Sequence, residues 1–175
     1  MIDKIKNLIS VDPGSNAAGF AYFKNEKLVE SRQVKFKAKH SLYHRLYELS
    51  WHFQEFLKFK GELDYFAIET PFIGKNPQVG IKVGQTRGII LNSIFEHLKK
   101  SGQIHFTTEN IIDISPAETR SFYGLSSKKQ KEDYQKIIRL TYPHLTTIGI
   151  DEADAIGIGE VALNKIKNKI LLNLK

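Results

Sequence analysis

Cysteine is absent from this 175-residue chain. That excludes disulfides, thiol catalysis and cysteine zinc sites at once, and it fits a reducing, cytoplasmic setting. No apolar run approaches the ~18–20 residues that would span a bilayer. The charged start, Met1 to Asn7, leads into a strand-like run and not into a signal sequence. No membrane partner is expected. Negative charge is scarce: 19 Asp and Glu stand against 26 Lys and Arg, a net charge of +7. Such an excess suits a polyanionic partner, nucleic acid first, and equally a Lys-rich surface kept for solubility. Repeats, low-complexity tracts and linkers are also missing. With 41% hydrophobic residues the chain is long enough for one domain, 1–175, with a real core. The Lys/Asn-rich end, 165–175, is expected to fray.

What is present centres on Asp64-Tyr65-Phe66-Ala67-Ile68-Glu69-Thr70-Pro71-Phe72. It reads as a short buried strand ending on a carboxylate and broken by a proline. Leu8 to Asp12 is a second strand ending on an acid, with Pro13-Gly14 forcing a turn. Gly19–Phe23 and Lys27–Phe36 read as strands joined at Lys24-Asn25-Glu26, completing an antiparallel meander. Leu42, Leu46, Leu49, Phe53 and Phe56 form one face of a helix, with Ser41 near its start and Gly61 past its end. Tyr43, Tyr47 and Trp51 lie on its other faces and read as flanking core.

Pro77 suits the first turn of a long helix reaching about Lys99. Gly80, Gly84 and Gly88 share one side of it, at a cost of ~2–3 kcal/mol in helix propensity. They make sense where another backbone comes close, either the chain's own sheet or a second subunit. Ile111–Ile114 is a fifth strand, and Pro116 opens a short helix ending before Gly124. Ser126 to Tyr142 is a basic helix whose start, Ser127 to Lys131, crowds positive charge at the wrong end of the helix dipole. A nearby phosphate or a merely solvated face explains that equally well. Last comes Asp151-Glu152-Ala153-Asp154-Ala155-Ile156-Gly157, opening a terminal helix. Asp151 and Asp154 share one face, and taken alone they fit helix capping.

Short connections and right-handed crossovers make the two acid-ended strands neighbours. Asp12 and Glu69 then stand side by side, and a terminal helix carrying Asp151 and Asp154 can dock at that edge. Four carboxylates in one crevice require cations. An all-oxygen donor set points to Mg²⁺ or Mn²⁺, and two such ions clamp a phosphodiester for in-line displacement. The fold class expected is α/β: an RNase H-like fold with a five-stranded mixed sheet, three antiparallel strands then two parallel, flanked by helices. The chemistry expected is that of a metal-dependent nuclease or a related phosphotransferase. The sugar-kinase and actin-like ATPases also begin with a strand-borne Asp followed by glycine, but normally need a second, repeated domain.

Three segments resemble the RuvC family of Holliday junction resolvases. VDPGSNAAGFAYF is similar to its first-strand DPGS-x3-G segment. DYFAIETPFIGKNPQVGIKVGQTRGI is similar to its central block, and DEADAIGIG to its D-x-x-D-A terminal motif. The resemblance implies a homodimer that holds a four-way DNA junction and nicks two opposing strands symmetrically. Asp12, Glu69, Asp151 and Asp154 would be the catalytic, metal-binding tetrad for two Mg²⁺ ions, with Mn²⁺ as a substitute. Phe72 would stack on bases, Lys75 of the K-N pair would contact DNA, and Gly80, Gly84 and Gly88 would lie in the dimer helix.

Departures from the family pattern are informative. Thr119 stands where the family usually has lysine, with Arg120 one residue later as a substitute out of register. A second family lysine falls within Lys128 to Lys131, with Lys131 favoured over Lys129, and these basic residues would contact phosphates. Glu152 replaces a small residue and reads as a surface acid or as a neighbour of the metal site. A divergent member of this kind suits a phage or mobile element with an AT-rich genome. Two rival readings are a broader fork and flap nuclease and a non-catalytic junction-binding protein.

Overall fold

A computed structural model of the chain describes residues 5–71, 77–103, 105–125 and 131–173. The side chains of Lys131 and Asn173 lie outside that description. Strands β1 (Asn7–Asp12), β2 (Ala17–Lys24) and β3 (Lys27–Lys35) form the meander. Asn25 and Glu26 both take positive φ, 49° and 66°, the conformation a two-residue hairpin turn requires. Helix α1 (Leu42–Leu57) follows, with the Ser41 side chain accepting from the His44 amide. Then come β4 (Tyr65–Glu69), α2 (Pro77–Lys100), a single 3-10 turn, β5 (Ile111–Ile114) and α3 (Pro116–Phe122). Helices α4 (Lys131–Thr141) and α5 (Ile150–Asn173) close the chain.

The sheet order is β3-β2-β1-β4-β5. β1 pairs antiparallel with β2 and parallel with β4, so both acid-ended strands are central neighbours. β5 extends the parallel half. Alternation along the strands divides the core into two layers. Ile9, Val11, Phe20, Phe66 and Ile68 pack beneath α1 and α2. Leu8, Ala21, Phe23 and Ala67 pack beneath α4 and α5.

Two expectations are corrected, and one of two open readings is set aside. Tyr43, Tyr47 and Trp51 do not flank the core; they are 79%, 69% and 53% exposed, because α1 buries the opposite stripe of Leu46, Leu49, Phe53 and Phe56. A Cβ added at Gly84 or Gly88 would meet nothing within 4 Å, so these glycines do not serve packing on the chain's own sheet. The stretch expected to fray is helical as far as Asn173. Lys165 bonds Glu118 at 2.7 Å and Lys167 pairs with Glu26 at 2.7 Å, which ties that helix down. The positive charge expected at Ser127 to Lys131 lies outside the described side chains.

Candidate active site

Register fixes the first pair of acids. Val11 pairs with Ile68 across parallel strands, so the next residues, Asp12 and Glu69, end their strands side by side. Alternation also fixes the side they face. Ile9 and Val11 point toward α1 and α2, and Leu8 and Ser10 toward α5. By the same two-residue period Asp12 faces α5. Glu69 follows Ala67, which packs in the α5 layer, while Phe66 and Ile68 face the other. Asp12 is 8% exposed and Glu69 half-buried.

The start of α5 is brought to the same place by a missing side chain. Gly19 of β2 is the cross-strand partner of Asp12. A Cβ there would sit 1.7 Å from the backbone oxygen of Asp151. Only glycine lets the helix begin directly over the strand pair. One turn on, the Ser10 hydroxyl donates to the Ala155 carbonyl at 2.7 Å and seats the helix over β1, two residues before Asp12. Asp151 and Asp154, three residues apart, therefore open α5 at the strand ends carrying Asp12 and Glu69. Burial pushes the Tyr134 phenol of α4 upward, and the negative charge of nearby Asp154 adds to the shift.

Several residues that support this arrangement escaped the sequence reading. Gln33 Nε2 donates to Asp151 Oδ2 at 2.8 Å. Arg45 of α1 donates to the Ser15 carbonyl at 3.1 Å and also to the Asn16 side chain, holding the turn that follows Asp12. Arg87 of α2 donates to the backbone oxygen of Glu69 at 2.9 Å and pairs with Asp113. Arg87 had a signal in the G-Q-x-R-G run; Gln33 and Arg45 had none, because their partners are remote in sequence. Glu152 is not a surface acid. It is half-buried, accepts from the Ser31 hydroxyl at 2.6 Å, and accepts from the Gly149 amide at 3.2 Å, capping α5.

The basic residues are only partly within view. Thr119 is buried with its methyl beside Gly157 of α5. Arg120 is half-buried and about 100° further around α3. Lys131 opens α4. Phe72, Lys75, Lys128 and Lys129 lie outside the described residues.

Carboxylates without imidazole or thiolate are the ligand type that suits hard divalent cations. A family model for the crossover junction endodeoxyribonuclease RuvC matches residues 8–160 and so spans all four acids. The chain belongs to the RuvC family. The crossover junction endodeoxyribonuclease RuvC of Wolinella succinogenes is 33% identical over 97 residues, a match covering 53% of this chain and 59% of that relative, under two thirds of its length. The RuvC of Bdellovibrio bacteriovorus is 26% identical over 94% of each chain. Among solved structures, T. thermophilus RuvC in complex with Holliday junction substrate superposes with a TM-score of 0.69 at 18% identity, covering 93% of this chain and 96% of that one. At that identity the likeness is one of fold, and the RuvC fold is the RNase H-like one expected from the order of strands and acids.

Proposed function

We propose that this RuvC-family chain is a metal-dependent, structure-selective endodeoxyribonuclease that resolves four-way DNA junctions by paired symmetric nicks. The observation that carries the reading is the meeting of Asp12 and Glu69, at adjacent strand ends, with the α5 turn that bears Asp151 and Asp154. These four carboxylates would hold two Mg²⁺ ions, or Mn²⁺ in their place, and the ions would supply Lewis acidity for phosphodiester hydrolysis. The chain's own part is to position that site. Asp12 and Glu69 present carboxylates from rigid strand ends, Asp151 is oriented by Gln33, and Arg87 restrains the backbone of Glu69. Arg120, Lys75, Lys128, Lys129 and Lys131 contact phosphates in this reading, and Phe72 stacks on bases at the branch point.

Homodimerisation belongs to the same proposal and places two such sites on one junction. Ile81, Gly84, Gly88 and Phe95 recur at spacings that put them on one stripe of α2. Ile81 and Phe95 are exposed, and the glycines face open space. A helix of a second copy can approach that stripe closely.

Glu69→Gln tests the reading. It keeps the shape and removes a charge and a ligand. Nicking is expected to fall by at least about 100-fold, on the several kcal/mol that such a charge-stabilising role supplies. Junction affinity in a gel-shift assay is expected to hold or improve. Loss of binding in a folded variant would contradict the role.

A further inference from the structure

A second group of metal-type side chains sits away from the carboxylate cluster. His40 lies just before the α1 cap Ser41, His44 in the first turn and Glu48 one turn on. Spacing of four stacks His44 and Glu48 on one face. The His40 amide donates to the Lys37 carbonyl at 2.9 Å, which folds the preceding turn back and brings the second imidazole alongside. His40 Nδ1 is 3.3 Å from Glu48 Oε2, and His44 Nε2 is 3.5 Å from Glu48 Oε1. The two imidazole rings meet edge-on with centroids 4.2 Å apart. One ligand atom from each residue lies within 4.8 Å of the other two.

A tetrahedral ion with bonds of about 2.0–2.1 Å separates its ligands by roughly 3.4 Å. The 3.3 and 3.5 Å separations, one to each carboxylate oxygen of Glu48, lie near that edge length, and the wider 4.8 Å limit on the set leaves the imidazoles a small inward shift to make on an ion. We propose that His40, His44 and Glu48 form a metal site for a borderline transition ion of the Zn²⁺ type, with water completing the coordination. Imidazole selects such ions, whereas the all-carboxylate cluster selects Mg²⁺ or Mn²⁺, so the two sites divide metals by chemistry. The side chains of His40 and Glu48 are only 22% and 27% exposed. Little rotamer freedom therefore remains to be lost on binding. The open side is His44, 53% exposed, through which ion and water enter. An ion here pins the first turn of α1. The residue after His44 is Arg45, which holds the turn following Asp12, so occupancy stiffens the support behind that turn.

The test is isothermal titration of Zn²⁺ into untagged protein with millimolar Mg²⁺ present, joined by Co²⁺ absorption spectra. The variants are His40→Ala, His44→Ala and, for the carboxylate cluster, Asp12→Asn, with circular dichroism as the check on folding. One Zn²⁺ per chain is expected at micromolar affinity or better, with Co²⁺ giving intense tetrahedral bands. Affinity should drop at least about tenfold in either histidine variant and persist in Asp12→Asn. Should a histidine variant fail to fold, the ring-proton shifts of both histidines on adding Zn²⁺ to the wild type decide the matter. Zn²⁺ binding that survives in the histidine variants and vanishes in Asp12→Asn would overturn the proposal. So would the absence of micromolar binding, or histidine resonances that Zn²⁺ leaves unmoved.

Discussion

The Asp151 carboxylate is held by Gln33, a side chain 118 residues away in the chain, through a 2.8 Å bond. An acid at a helix start rotates freely unless something fixes it. Partners of this kind typically carry 10–100-fold in metal affinity or activity. Gln33→Leu keeps the bulk and removes the donor. The metal concentration for half-maximal nicking is expected to rise about 10–100-fold, with excess Mg²⁺ restoring part of the rate. An unchanged metal requirement would mean that Gln33 only fills space. The positions of the four acids were legible because Asp12 and Glu69 each close an apolar run and Asp151 and Asp154 stand at the start of a helix. Gln33, Arg45 and Ser10 were not, because their roles exist only once β3, α1 and α5 have packed. Glu152 shows the same limit: its partner Ser31 lies 121 residues away.

Helix α5 carries two of the acids, so what destabilises its packing against α4 bears on the site. Burial raises the Glu160 carboxyl from its ordinary value to about 7, and the Tyr142 hydroxyl donates to it. Between about pH 4.5 and 7 the folded chain holds a proton at Glu160 that the unfolded chain has released. Stability therefore falls as pH rises through that window and levels off above it. A shift of this size corresponds to at most about 3 kcal/mol. Glu160→Gln removes the cost of burying the charge. Urea denaturation should find the variant about 1–3 kcal/mol more stable than wild type at pH 8 and close to it near pH 4.5. Equal stabilities at pH 8 would contradict the burial argument.

Element boundaries were the most readable feature of the chain. β5 was expected at Ile111–Ile114 and is found there, and α3 opens on Pro116 at its N-terminal end as that residue's N1 preference implies. Apolar periodicity, caps and prolines act locally, so a linear sequence displays them. The position of α5 was less readable. It depends on Gly19, whose reason is a helix carbonyl 132 positions later in the chain.

At the scale of the molecule, what the fold leaves uncovered matters most. Helix α1 exposes Tyr43, Tyr47 and Trp51, and α2 exposes Ile81, Phe95, Gly84 and Gly88. Periodicity could place these residues on shared faces but could not say which faces the monomer would cover. Gly88→Leu tests the dimer, because a side chain there meets nothing in its own chain. Sedimentation equilibrium should find the wild type dimeric and the variant shifted at least about tenfold toward monomer, with an unchanged circular dichroism spectrum. A wild type that stays monomeric, or a variant that stays dimeric, would remove α2 from the interface.

The central claim is tested most directly by cleavage of one synthetic four-way junction beside a fork, a flap and a plain duplex built from the same arms, in Mg²⁺, Mn²⁺ or EDTA. Paired, symmetric nicks across the junction are expected in Mg²⁺ and Mn²⁺ and none in EDTA, with duplex left intact and fork and flap cut far more slowly. Equal cutting of forks and flaps would make the chain a general branched-DNA nuclease, and tight junction binding without cuts in either metal would contradict the enzyme altogether.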